Sequence, residues 1–268
     1  MKRPPLEERY ENLVITREGR LLTITMNRPD ALNAADELLH EELADVFYDV
    51  ANDEGSDVVV LTGAGRAFSA GGDIDWMQSA IDRPHTFEKT IREAKRIVFS
   101  MLDLEKPLIA KVNGHATGLG STLALVCDVI FAAENAKIGD PHVSIGLVAG
   151  DGGAAIWPQL IGYARAKEYL LSGDLMPATK AAEIGLINHA VPAEELDAAV
   201  ASYVGKLLGG ATKAIRWSKV ATNLELKRIF HAIMDTSVAY EAMSNLTSDH
   251  QEAVNAFRAK RKPNFTGG

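Results

Sequence analysis

Two glycine-rich turns in this sequence have the composition of an anion-stabilising site. The first lies at residues 58–74, VVVLTGAGRAFSAGGDI. Val58, Val59, Val60 and Leu61 form an apolar, β-branched run that reads as a buried strand. Gly63, Gly65, Gly71 and Gly72 follow, and glycine lets the backbone take φ > 0 and approach a ligand closely. Asp73 then offers a good helix cap. The second turn has the same order. The strand-like run LIAKV at 108–112 meets the turn signal Asn113-Gly114, and His115-Ala116-Thr117-Gly118-Leu119-Gly120-Ser121 opens an apolar run at 122–126. A strand, a glycine turn and a helix start aim backbone N–H groups at one point, where negative charge is stabilised. Two such turns in one domain can converge on one oxygen, so the predicted chemistry is the holding of an anion or a developing oxyanion.

A third stretch, DPHVSIGLVAGDGG at 140–153, carries the candidate acid–base groups. His142 has an ordinary pKa near neutrality and can serve as base or acid. Asp151 follows a glycine-rich loop that could fold back on it, fixing the imidazole tautomer and raising its basicity as in hydrolytic triads. The alternative roles are a turn hydrogen bond for His142 and a helix cap for Asp151. Three other motifs fail. Ser69 lacks the first glycine of a G-x-S-x-G elbow. Residues 114–121 have no phosphate-binding lysine. Residues 63–68 lack the third glycine of a dinucleotide fingerprint. His85, His189, His231 and His250 show no metal spacing, and no metal is expected.

The pair AFSAGGDI and KVNGHATGLGSTLALVCD resembles the crotonase family, also called the enoyl-CoA hydratase/isomerase family. NRPDALNA, GDPHVSIGLVAGDGGA, AKEYLLSGDLMPATKAAEIGLIN and SDHQEAVNAFRAKRKPNF extend the resemblance over nearly the whole chain. It implies an α/β fold, a crotonase-like spiral of β–β–α units over residues 1–192. Residues 193–268 then form a helical C-terminal oligomerisation section that builds homotrimers or dimers of trimers. It places the two oxyanion N–H donors on Gly72 and Leu119. Where family hydratases carry two glutamates, this chain has Thr122 and His142. By the same resemblance Ala67, Ser69, Ala70, Gly71, Asp73 and Ile74 are expected to contact an acyl-CoA, with Arg28 near its phosphates. Phe257 and Lys260 would reach the ligand from a neighbouring subunit; the basic run at 258–262 also suits a solvated helix end. His40 could project toward the acyl end, and His115 reads as structural. The implied reaction is hydration or isomerisation of an enoyl-CoA through an enolate, with coenzyme A as part of the substrate and no separate cofactor. The alternatives are hydrolytic C–C cleavage of a β-dicarbonyl by His142 and Asp151, or an acyl-CoA binder without catalysis.

The elements that must position these groups fit that picture. The chain has 268 residues, 47% of them hydrophobic, enough for one large domain with an appendage. A net charge of −8 argues against nucleic acid as a partner. The lone Cys127, inside an apolar run, reads as a core residue. The N-terminal segment MKRPPLEERYENL has no apolar signal region, and no run is long enough to span a bilayer, so a soluble cytoplasmic protein is expected. Strands are predicted at 12–16, 21–26, 58–61, 108–112, 126–132, 136–139 and 187–191. Helices are predicted at 33–51, 88–104, 154–160, 164–171 and 178–184, the last capped by Gly185. Residues 78–86 show no period and read as a flap. From Ala193 onward the chain reads as nearly all helix.

Overall fold

The computed structural model describes residues 4–268; the first three residues of the N-terminal segment lie outside the described residues. An antiparallel hairpin, β1 (Leu13–Glu18) and β2 (Leu21–Met26), leads into α1 (Glu37–Ala51). Then come β3 (Val58–Gly63), β4 (Ala67–Ser69), α2 (Ile74–Asp82) and α3 (Phe87–Asp103). The next turn of chain holds β5 (Leu108–Val112), β6 (His115–Thr117) and α4 (Leu119–Val126). It is followed by β7 (Val129–Ala133), β8 (Lys137–Gly139), a 3₁₀ turn (His142–Ile145) and α5 (Gly153–Ser172). The chain closes with β9 (Met176–Pro177), α6 (Ala178–Glu183), β10 (His189–Val191), α7 (Leu196–Leu208), α8 (Thr212–Ser244) and α9 (Ser248–Arg258).

These strands make two sheets. The larger has the order β1-β2-β3-β5-β7-β10 and is parallel from β2 onward; the smaller has the order β4-β6-β8-β9. Three times the chain passes through the large sheet, crosses to the small one and turns into a helical segment: β3–β4–α2, β5–β6–α4 and β7–β8–α5. This is the expected spiral of β–β–α units. Every residue of β3 is buried, as a strand covered on both faces requires, and its VVVLTG run is apolar almost without break. In the small sheet Ala67 pairs with His115 and Thr117 with Gly139, both in parallel register. The segments leaving β4, β6 and β8 therefore emerge side by side. They carry Gly72, Leu119 and His142.

One large apolar cluster joins the sheets to the helices, and Phe230, Met234 and Val238 of α8 belong to it with Leu61, Val98 and Leu123. The helical C-terminal section thus shares the core of the spiral. A smaller cluster, including Val58, Ile109 and Val200, lies where α7 covers the other face of the large sheet. No helix of the described residues is long and apolar enough to cross a membrane.

Several boundaries differ from the sequence reading for local reasons. The first helix starts at Glu37, because Asp36 caps it by accepting from Leu39 N. Asn33, expected to open that helix, instead ties a turn together: it accepts from Arg28 N and donates to the Ala64 and Ala67 carbonyls. Residues 78–86, expected as a flap, are the end of α2 and a 3₁₀ turn at Pro84–Thr86. The strand expected at 126–132 starts later, since α4 runs to Val126 and Asp128 is spent accepting from Leu108 N. The strand expected at 187–191 is confined to His189–Val191. The two helices expected at 154–160 and 164–171 are the limbs of α5, broken by non-helical Gly162.

Candidate active site

The two glycine turns meet. Gly71 has φ +90° and Gly118 has φ +55°, both in the region that favours glycine. A Cβ on Gly71 would stand 2.9 Å from the Thr117 carbonyl oxygen, so the backbones are in contact. Ala35 N donates to the Gly71 carbonyl at 2.7 Å, and Asp73 N donates to the Ala35 carbonyl at 2.9 Å. This bridge uses the groups on either side of Gly72 and leaves the Gly72 N–H turned away from it. Leu119 is the first residue of α4, so its N–H has no partner within the helix. Neither N–H has an acceptor among the described residues. Both residues line one cleft. Two unpaired N–H groups in one cleft, one of them at a helix N-terminus, are suited to an oxygen that gains charge.

His142, Asp151 and Glu241 line the same cleft. His142 Nδ1 is hydrogen-bonded to the Asp140 carboxylate, and its Nε2 stands 3.7 Å from Asp151 Oδ2. The ring is thus held between two buried carboxylates. Thr122 Oγ1 donates to Asp151 Oδ1 at 3.0 Å, which orients that carboxylate. Space for this cluster comes from the GDGG run. A Cβ on Gly150 would collide with the Glu241 carboxylate, and one on Gly153 with that of Asp140.

Burial bears on His142, Asp151 and Glu241. For His142 burial opposes the charged ring, but Asp140, Asp151 and Glu241 outweigh it and raise the pKa well above the ordinary value. Burial raises Asp151 as well, with the His142 charge and the Thr122 hydrogen bond acting against it. Burial pushes Glu241 up to about 8, against the pull of His142. Glu241 therefore keeps its proton at neutral pH. His142 Nε2 faces Asp151 Oδ2 across 3.7 Å, and the raised pKa of that carboxylate lets it accept a proton from a water molecule. The cluster supplies a base and an acid beside the paired N–H groups. The ligand atoms of Asp140, His142 and Asp151 also lie within 4.8 Å of one another, close enough to chelate a cation. Here the protonated ring offsets one of the two carboxylate charges.

The remaining expected site residues fall into two groups. Ala67 and Ser69 are buried in β4, and Ser69 Oγ donates to the Asn33 carbonyl at 2.8 Å. Ala70 is exposed, and its N–H donates to the Leu32 carbonyl. Ile74 is the half-buried first residue of α2, which Asp73 caps by accepting from Asp75 N and Trp76 N. Arg28, expected near phosphates, is paired with Asp36 at 3.1 Å and Asp73 at 3.2 Å. Its charge is already balanced. Phe257 is 63% exposed near the end of α9, Lys260 is exposed just beyond it, and neither lines the cleft of its own chain. His115 Nδ1 accepts from Lys137 N at 3.0 Å, a structural bond between β6 and β8. Cys127 is buried, and burial holds its thiol far above the usual range.

Sequence reasoning missed Asp140 and Glu241. Glu241 had a readable signal. Phe230, Met234, Val238, Glu241 and Asn245 follow one another by three or four residues, so an acid continues the apolar stripe of a helix. Among the described residues lining the cleft there is no Lys or Arg; Trp76, Met77, Phe87 and Ile91 form an apolar wall.

A model of the enoyl-CoA hydratase/isomerase family matches residues 16–268. The chain belongs to this family. It is 36% identical to a crotonyl-CoA hydratase of Syntrophomonas wolfei over 259 residues, which cover 96% of this chain and 98% of that protein. Among solved structures, an enoyl-CoA hydratase/isomerase from Mycobacterium paratuberculosis superposes with a TM-score of 0.88 at 38% identity, covering 91% of this chain and 97% of the other. A β-diketone hydrolase from the cyanobacterium Anabaena, solved with (S)-3-oxocyclohexyl acetic acid bound, superposes with a TM-score of 0.84 at 30% identity, covering 92% and 98%. The protein is an enzyme of the enoyl-CoA hydratase/isomerase family, with its crotonase fold.

Proposed function

We propose that this enzyme adds water to a carbonyl compound whose oxygen lies between the N–H groups of Gly72 and Leu119. The first substrate class is a 2-enoyl-CoA thioester. The observation that carries this reading is the pair of unpartnered N–H groups facing a histidine–carboxylate pair across one cleft. The His142–Asp151 pair takes a proton from water, and the hydroxyl bonds to Cβ of the enoyl group. The resulting enolate is held by the two N–H groups. Glu241, protonated at neutral pH, returns a proton to Cα. The sum is one water added, and no cofactor takes part beyond the coenzyme A of the substrate. In this reading Thr122 orients Asp151 rather than acting as an acid.

A second reading is favoured by a specific observation. Among the described residues the cleft wall has no Lys or Arg, and Arg28 is already paired with two carboxylates, so this cleft by itself offers little to the phosphates of coenzyme A. The same groups serve the hydrolysis of a β-dicarbonyl. Hydroxide is delivered to one carbonyl carbon, the C–C bond breaks, and the second carbonyl leaves as an enolate in the same N–H pair. Protonation at its carbon gives an acid and a ketone. Crotonyl-CoA and a cyclic β-diketone assayed side by side with the purified protein separate the two. Turnover of crotonyl-CoA, abolished in His142→Ala, supports hydration. Turnover of the diketone alone moves the enzyme to C–C hydrolysis. Turnover of neither, with acyl-CoA still bound, overturns both in favour of a non-catalytic binder.

We further infer a homotrimer, or a dimer of trimers, built through the C-terminal helices. Trp217, Leu224, Met243 and Leu246 on and after α8 are each more than 60% exposed, more apolar surface than a solvated helix carries. A monomer by sedimentation would overturn it.

A further inference from the structure

A second histidine–carboxylate pair lies on the opposite side of the cleft. His40 is only 2% exposed, on α1, and Glu93 on α3 holds its Nδ1 at 2.7 Å. The ring packs against Trp76, with centroids 5.0 Å apart. Both His40 and Trp76 line the cleft. The carboxylate fixes the proton on Nδ1. Nε2 then has no protein partner among the described residues and sits in the cleft wall. Around it the wall is formed by Trp76, Met77, Ala80, Phe87, Ile91 and Ala94. The hydroxyl of Thr90, one turn before Glu93 on α3, also lines the cleft. The catalytic cluster stands elsewhere, on the segments that leave β6 and β8 and on α8.

The bridge between Ala35 and Gly72 fixes where this pair sits relative to the chemistry. It ties the start of α1 to the first N–H donor, so His40 flanks the oxyanion pair on the Gly72 side. His142 flanks it on the Gly118 side, where its ring lies 3.5 Å from the position of a Gly118 Cβ. His40 and both donors line the same cleft, so a substrate whose reacting oxygen lies between the donors has His40 within the wall that encloses it. An unpaired polar atom in an apolar wall is unfavourable unless the ligand supplies a partner.

We propose that His40, positioned by Glu93, recognises a second oxygen function on the substrate, an oxo or hydroxyl group remote from the reacting carbonyl. The preferred acyl group is therefore oxygenated, and a plain alkyl chain leaves Nε2 unpaired. A hydroxyl is met by the Nε2 lone pair of the neutral ring, an oxo group by the N–H of the protonated ring. This inference extends the reading of the site as one for a carbonyl substrate, and it is tested by binding, apart from turnover.

The probes are hexanoyl-CoA, 5-oxohexanoyl-CoA and 5-hydroxyhexanoyl-CoA, none of which can be hydrated, with cyclohexane-1,4-dione, which is not a β-dicarbonyl and cannot be cleaved, against cyclohexanone for the case in which thioesters do not bind. Calorimetry on the wild-type protein should show the oxygenated member binding about tenfold more tightly, the worth of one good hydrogen bond. His40→Phe should remove the preference while binding the plain member as before. Glu93→Gln should weaken it, and tight binding of the oxo but not the hydroxy probe would assign the protonated ring. Equal binding of both members by the wild type, or an equal loss of both in His40→Phe with the fold intact by circular dichroism, overturns the proposal. A wild-type preference without catalytic turnover of any enoyl-CoA or diketone leaves it standing while the reaction proposed above falls.

Discussion

At the scale of single residues, the site is a small set of protons held in place by burial. His142 is the most constrained member, with a carboxylate at each ring nitrogen. His142→Gln keeps a hydrogen-bonding side chain but removes the titrating ring. Turnover should fall by roughly 10²–10⁴, the usual contribution of a positioned acid or base. Steady-state rates on the true substrate check this, and a loss within a few-fold would exclude His142 from the proton transfers. Glu241 makes a separate prediction. Its proton is held up to about pH 8, so an enzyme that needs it as an acid should lose activity as pH rises through that value. In Glu241→Gln the residual activity should show no such alkaline limb, and a limb that persists would belong to another group. None of this was fully legible in the sequence. His142 and Asp151 stood out because a histidine and an acid bracket a glycine-rich loop. Glu241 is on a distant helix, and only the fold brings it to the cleft.

At the scale of elements, the useful unit is strand, turn, helix. Those units were visible because buried strands are apolar runs and turns are glycine-rich, and each property is local. The small sheet was legible only in part: β8 was expected at 136–139, but the three-residue strands β4 and β6 have no period to read. The flap expected at 78–86 failed for a related reason. Trp76, Met77 and Ala80 of α2 face a cleft rather than a core, so their pattern is not that of a packed helix. The start of α4 offers a direct test of the N–H donor. Leu119 is the first residue of the helix, the position where proline is tolerated because the N–H makes no helical bond. Leu119→Pro should therefore keep the fold and delete one donor, lowering the rate by roughly 10²–10³. Leu119→Ala removes the same side chain but keeps the N–H, and its rate should stay well above that of the proline variant. Equal rates for the two would assign the effect to the side chain and remove Leu119 N–H from the oxyanion site.

At the scale of the whole molecule, the catalytic cluster and the core are one structure, and this makes stability depend on pH in a specific direction. Glu241 lies on the same helical stripe as Phe230, Met234 and Val238, which pack into the main core. Its folded pKa of about 8 is above the ordinary carboxylate value, so the folded protein binds the proton more tightly than the unfolded chain. The stability tied to that proton is complete below the ordinary pKa, about 4.5, and is lost as pH rises toward 8. His142 acts with the same sign, because its pKa is also raised by folding and its contribution fades as the pH climbs through the folded value. The wild-type thermal midpoint should therefore fall between pH 5 and pH 9. Glu241→Gln replaces the titrating acid with a neutral group of the same shape, so its midpoint should fall less steeply and overtake the wild type toward pH 8. The comparison needs only melting curves at several pH values in one buffer series. Parallel curves would mean that Glu241 ionises as easily in the fold as in the unfolded chain. The site would then lose its acid together with the pH dependence, since the same burial is responsible for both.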